Sequence, residues 1–196
     1  MNSIKSKLSV LALTIALSLN VNAQSINKGD ITFDVFYGSP SIGTLIFKSL
    51  ATASGEVDFN TFGPIGIKFE YMISDKVGLG VEGSYSTLSM KAVENGYTSE
   101  FTLNRIRIMP RFSYHMGSSD NFDSYFSLGM GYRNSTYEFS STDVTATVDE
   151  SITGGIPMAM RIAWGARYYF TPNIGLSTEL GLGGGHLISG GLVIKI

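Results

Sequence analysis

A dozen charged residues lie inside stretches that otherwise alternate between apolar and small side chains: Asp34, Lys68, Glu70, Glu82, Arg105, Arg107, Arg111, Arg133, Arg161, Arg167, Glu179 and Lys195. The densest run is RIRIMPRFSY, Arg105 to Tyr114. One register of it holds Arg105, Arg107, Met109, Arg111 and Ser113. The other holds Ile106, Ile108, Pro110, Phe112 and Tyr114. Residues of these types support few kinds of chemistry. Opposite charges held away from water neutralise each other as ion pairs, because an isolated charge in a dry space is costly. A surplus of cations along one path can hold or pass anions. A serine, a histidine and an acid in contact could perform acyl chemistry. Only His115 and His186 are present, however, and neither has a serine at the close spacing that such a site needs. The acids do not cluster and there is no cysteine, so the pattern offers no metal site and requires no cofactor. The run GLGGG, Gly181 to Gly185, lacks the Lys-Ser/Thr and the helix of a phosphate loop, and is read as a strand end with a tight hairpin.

Strands must position these charges. Read with period two, the chain divides into eight segments: Asp30 to Gly38, Phe62 to Ile73, Val77 to Met90, Glu100 to His115, Ser124 to Phe139, Ile156 to Phe170, Ile174 to Gly183 and Leu187 to Ile196. In each, one register is aliphatic or aromatic and the other is charged or small. A closed membrane barrel and a soluble sandwich or barrel both satisfy this alternation, with opposite faces wet. The connections favour the membrane barrel. SDK at Ser74 to Lys76 and TPN at Thr171 to Asn173 are tight turns, and Gly117 to Asp123 is a longer one. Ser39 to Thr61, Lys91 to Ser99 and Ser140 to Gly155 are read as long polar loops at the other end. An even strand count with short turns at one end and long loops at the other is the transmembrane arrangement. Tyr71, Tyr114, Phe122, Tyr168, Tyr169 and Phe170 near the short turns would form an interfacial girdle, and His115 would be a polar residue at that interface.

Composition agrees. Charged residues are 15% of the chain, against about 25% in ordinary soluble proteins. Residues 1–23 carry Lys5 and Lys7, then the apolar run Leu8 to Leu19, then Val21 and Ala23 at the −3 and −1 positions of a cleavage site. They are expected to be a cleaved signal peptide, leaving 24–196 as a single barrel domain. Losing the two lysines takes the formal charge from −2 to −4, which argues against a nucleic-acid partner.

The phrase GPIGIKFEYMISDKVGLGVEGSYS, Gly63 to Ser86, resembles the small outer-membrane β-barrel proteins of Bacteroidota-type bacteria. In outline the whole chain after Ala23 is similar to the OmpX- and OmpA-like barrels, often labelled porin-like. The resemblance implies a place in the outer membrane of a Gram-negative cell envelope, with membrane lipid as surroundings. It also implies handling by the barrel-assembly machinery during biogenesis. Such barrels commonly end on an aromatic residue. Here GLVIKI keeps the alternation and ends on Ile196.

The expected fold is therefore all-β: an eight-stranded antiparallel up-and-down transmembrane barrel. The dozen charges point inward, with lipid against Trp164 and the aliphatics. Glu82 should meet Arg107 or Arg111, Glu179 should meet Arg161 or Arg167, and Asp34 should meet Lys195, each on a neighbouring strand. The surplus of cations would be balanced by water or anions. Pro110 should force a bulge or a break. Ile42 to Ala53, too apolar for a surface loop, should form a short helix at the membrane surface or over the barrel. The function that follows is structural or surface interaction through the loops, without catalysis. A narrow channel for ions or small solutes, and a soluble β-protein binding an apolar ligand, remain as alternatives.

Overall fold

The computed structural model describes residues 26–40, 44–46, 48–49, 57–94, 97–141 and 150–196. The expected signal peptide lies outside them. Among the described residues nine strands form: β1 (Ile31–Pro40), β2 (Val57–Ser74), β3 (Val77–Glu94), β4 (Tyr97–Ser118), β5 (Phe122–Ser141), β6 (Glu150–Thr153), β7 (Met158–Tyr169), β8 (Ile174–Gly183) and β9 (His186–Lys195). Neighbours pair antiparallel, and β1 pairs with β9 to close the sheet. Ile31 N–H donates to Ile196 O at 2.9 Å and Ile196 N–H returns to Ile31 O at 2.8 Å, which locks the seam. Both β6 and β7 pair with β5, so together they make one stave of an eight-stave barrel. Their register against β5 differs by one residue: Thr136 faces Thr153, whereas Tyr132 faces Met158.

Alternation accounts for the two faces. Along β7, Met158, Met160, Ile162, Trp164 and Tyr168 point outward, while Ala159, Arg161, Ala163 and Arg167 are buried inside. An outward row of large apolar residues recurs on every long strand, and a soluble protein would not leave so continuous a belt exposed. Beneath the charges, toward the short turns, Ile26, Met72, Tyr169 and Val193 form a buried apolar plug. Two adjacent residues of one strand cannot share a face. Tyr169 therefore turns inward while Tyr168 faces out, and the girdle expected to include both holds Tyr168 alone of the pair.

Strand runs into all three of the expected long loops. β3 and β4 run on to a connection at 95–96, so Lys91 to Ser99 is the tip of a hairpin. Ser140 to Gly155 contains the end of β5 and all of β6, and β2 begins at Val57 within the expected first loop. Lower down, the outward register is apolar: Leu79, Val81 and Tyr85 on β3, Phe112, Ile108 and Ile106 on β4. Above Tyr85 and Asn104 it turns polar. Tyr85 Oη donates to Asn104 Oδ1 at 3.0 Å, Ser89 and Thr102 hydroxyls lie 3.2 Å apart, and Lys91 pairs with Glu100 at 3.3 Å. The inward register becomes apolar over the same rows, with Leu103 buried and Phe101 and Tyr137 rings 6.2 Å apart. The hydrophobic pattern thus exchanges faces where the strands leave the apolar belt. In β2 a register shift between Phe62 and Ile65 does the same for that strand. Tyr37, Phe62 and Tyr85 mark the edge, with Tyr37 and Phe62 rings 6.2 Å apart and edge-on.

Pro110 faces outward opposite Val81 of β3. On the β5 side the pairing skips Met109 and Pro110 and resumes in unchanged register, Ile108 with Tyr132 and Arg111 with Gly129. The missing N–H therefore costs a local break and no bulge. Helical turns occur at 44–46 and 48–49, where Ser49 Oγ donates to Leu45 O at 2.8 Å. Thr44 reaches the barrel mouth, while Leu45 and Ile46 are exposed. The rest of Ile42 to Ala53 that falls at 42–43, 47 and 50–53 lies outside the described residues.

Candidate functional site: the charged barrel interior

Ten of the dozen charges are buried: Asp34, Lys68, Glu70, Glu82, Arg107, Arg111, Arg161, Arg167, Glu179 and Lys195. Arg105 and Arg133 are half-buried near the long-strand end. Each sits on the inward register of its strand, and the group sorts into three levels.

The level nearest the short turns centres on Arg167 of β7. Its Nη1 lies 2.7 Å from Glu70 and its Nη2 lies 3.2 Å from Asp34. Its guanidinium stacks 4.5 Å above the Tyr125 ring. Asp123 Oδ2 is 3.7 Å from Nη1, and the other Asp123 oxygen is 2.8 Å from His115 Nδ1. His115 Nε2 is 3.5 Å from Glu70. His115 is therefore an interior residue, and its expected interfacial position is corrected: it continues the register of Arg107 and Arg111. The middle level centres on Glu179 of β8. Arg111 Nη2 donates to it at 2.5 Å, Tyr125 Oη at 2.9 Å, Lys68 Nζ approaches to 3.1 Å and Arg161 Nη2 to 3.4 Å. Arg111 Nη1 also binds Glu82, and its Nη2 donates to Ser127 Oγ at 2.9 Å. At the long-strand end stand Arg105, Arg107 and Arg133. Arg107 donates to Ser86 Oγ at 3.2 Å and Arg133 to Ile156 O at 2.8 Å. His186, next to them, is buried against Phe36 with ring centroids 5.1 Å apart.

Sequence neighbours and spatial partners differ here. Glu82 meets Arg111, one of its two expected partners, and Glu179 meets Arg161. Glu179 holds Arg111 and Lys68 more closely, and these come from β4 and β2 across the lumen. Asp34 does not meet Lys195. It pairs with Arg167, and Lys195 lies 3.9 Å from Asp30. The reason is geometric: the interior is narrow enough for long side chains to reach the opposite wall. Asp123, Asp30 and Tyr125 were missed by reading the sequence. Asp123 sits in a stretch that reads as a turn, yet it continues the inward register of Tyr125 and Ser127, and that signal would have found it.

Chemically the lower two levels are neutralising networks. They bring cations from three strands, β2, β4 and β7, onto shared carboxylates, and removing one partner would strand the others. The arrangement fills these levels of the lumen with buried side chains.

The chain matches no curated protein. Among solved structures it is similar to the outer membrane protein OprG from Pseudomonas aeruginosa, at 12% identity and a TM-score of 0.52, covering 90% of this chain and 99% of that one. It is also similar to the N-terminal β-barrel domain of OprF from the same organism, at 15% identity and a TM-score of 0.49, covering 87% and 100%. The first of these likenesses supports the barrel fold. Residues 9–181 match the family model of the outer membrane protein beta-barrel domain, so the chain belongs to that family and is an integral protein of the outer membrane.

Proposed function

We propose that this barrel is a sealed membrane anchor that presents its tall sheet to partners outside the cell. One observation carries the reading. β1, β8 and β9 have 10 residues each, about what a strand needs to cross a bilayer. β2 and β3 have 18, β4 has 22 and β5 has 20. Half of the barrel wall therefore rises well beyond the membrane, at about 3.3 Å per residue along each strand. An extended sheet with a polar outer face and an apolar inner face is a surface built to be seen from outside. The termini and short turns then face the periplasm. The proposed surroundings are outer-membrane lipid, the assembly machinery during biogenesis, and an extracellular partner at the sheet. Nucleic acid has no place among them. No catalytic role is proposed, since His115 is committed to Asp123 and Glu70. The phrase Gly63 to Ser86 supports membership of the Bacteroidota type.

The test shortens the β3–β4 hairpin by removing 89–102 and joining the ends with a tight turn. The variant should still give the heat-shifted band of a folded barrel while losing attachment of expressing cells to host surfaces or to matrix. Attachment unchanged by that deletion would remove the reading. The cross-lumen pairs also disfavour the channel alternative: purified protein in planar bilayers should give no conductance steps.

A further inference from the structure

Gly83 of β3 leaves a gap in an outward row of the apolar belt. It pairs with Ile67 of β2 on one side and with Ile108 of β4 on the other. Within 4 Å, a Cβ built on it would meet only the Ile67 side chain, at 4.0 Å. Two other glycines of the same strand differ. A Cβ on Gly78 would strike the Glu70 carboxylate at 2.5 Å, and one on Gly80 would strike Phe69 O. Packing inside the barrel requires those two, whereas Gly83 leaves space outside it. A glycine within a strand weakens the strand and often marks a place where a ligand approaches closely.

The gap opens into a notch of about 480 Å³ on the lipid-facing surface, bounded by Val35, Ile65, Ile67, Tyr85, Ile106 and Ile108 and almost wholly apolar. That volume lies in the range of ligand clefts, about 300–1,000 Å³. The notch is continuous with the belt that meets lipid, so a hydrocarbon chain is what fills it. Burial alone does not choose among chains, because lipid tails are as apolar as the wall. The choice falls to polar groups at the outer edge. Tyr85 lines the notch, and its hydroxyl lies 2.8 Å from Thr87 Oγ1 and 3.0 Å from Asn104 Oδ1. Asn104 Nδ2 donates to Glu138 Oε1 at 3.3 Å. This ladder crosses β3, β4 and β5 where the belt ends, with Tyr85 and Glu138 exposed. It presents hydroxyls, an amide and one carboxylate. Sugar hydroxyls, which both donate and accept, satisfy such a set, whereas the carboxylate repels a phosphate.

We propose that the wall around Gly83 is a seat for a glycolipid of the outer leaflet. One acyl chain lies in the notch, and the sugar rests against Tyr85, Thr87, Asn104 and Glu138. The notch fixes the chain and the ladder reads the headgroup. This inference does not depend on the hairpin's role in attachment, since removing 89–102 leaves every residue of the seat in the chain.

The folded protein, with its isoleucine methyl groups isotope-labelled, is placed in phosphatidylcholine nanodiscs. These carry increasing mole fractions of a monoglucosyl diacylglycerol with a nitroxide on one chain. A parallel series carries phosphatidylglycerol with the same spin-labelled chain. The readout is the broadening of the Ile108 methyl signal divided by that of Ile162, which faces outward on β7. With the sugar lipid this ratio should rise saturably, to at least about two-fold above the phosphatidylglycerol value. Gly83→Leu should return it to that value. Glu138→Ala should raise the half-saturating mole fraction about five-fold or more, as loss of a hydrogen bond to a charged group implies. Leu180→Phe, an outward change on β8, should leave both quantities unchanged. Equal ratios for the two lipids overturn the proposal, and so does a ratio that Gly83→Leu leaves unaltered or a half-saturation that Glu138→Ala leaves unaltered. Should Gly83→Leu not give the heat-shifted band of a folded barrel, the wild-type comparison of the two lipids decides alone.

Discussion

Glu179 concentrates the interior electrostatics in one carboxylate. Four donors converge on it, from β2, β4, β5 and β7, and its side chain has no exposure. A buried ion network is not in itself a source of large net stability, because desolvation offsets much of the attraction. Removing one member is different, since the partners stay buried and charged. Glu179→Gln should therefore lower the unfolding free energy by about 3–5 kcal/mol, measured by urea titration in lipid vesicles. Lys91→Ala, which breaks the exposed pair with Glu100, should cost at most about 1 kcal/mol. Combining Glu179→Gln with Arg111→Met should cost less than the sum of the two single changes, because the second removes a cation that the first has stranded. An additive result would mean that the two side chains do not interact in the membrane.

Strands carry the next level, and β4 shows it within one register. Ile108 faces outward in the apolar belt, 54% exposed to what would be lipid. Thr102, six residues along on the same register, faces outward above the belt, beside Ser89. Ile108→Lys should cost about 2–4 kcal/mol in lipid, the value for a lysine near the bilayer midplane. Thr102→Lys should cost at most about 1 kcal/mol, since Thr102 is a half-buried polar site outside the apolar belt. Equal costs at both positions would place the membrane boundary elsewhere. The same strand shows what could be read in advance. Arg105 to Tyr114 assigns its two faces from period two alone, and that held for every stave inside the belt. Only the topmost rows, in Lys91 to Ser99 and from Ser140 on, read as loops, because their Ser, Thr and Lys residues look like loop composition. Pairing there depends on a partner strand, which no single segment discloses. The faces also exchange polarity at Asn104, so a reader following one phase sees the pattern dissolve. Side-chain partners were the least legible part. Strand order names neighbours, but Arg167 reaches Asp34 and Arg111 reaches Glu179 across the lumen, a distance that only closure of the barrel sets.

Closure also gathers both ends of the barrel sheet at one end of the whole molecule. The seam bonds between Ile31 and Ile196 put both ends of the barrel sheet beside the turns at 75–76, 119–121 and 170–173. The apolar cluster of Ile26, Met72, Tyr169 and Val193 lies at that same end, whereas Arg105 and Arg107 line a small pocket toward the other. The chain contains no cysteine, so a single introduced thiol reports one position without interference. Asp58 is exposed on the tall part of β2, and Asp120 is exposed in a short turn. In intact cells a membrane-impermeant maleimide should label Asp58→Cys fully and Asp120→Cys hardly at all. Permeabilising the outer membrane should bring the second to the level of the first. Both variants should keep the heat-shifted mobility of the folded barrel, since neither position is packed. The reverse labelling order would invert the molecule. It would turn the tall sheet toward the periplasm, and the partner sought for it would then be a periplasmic one.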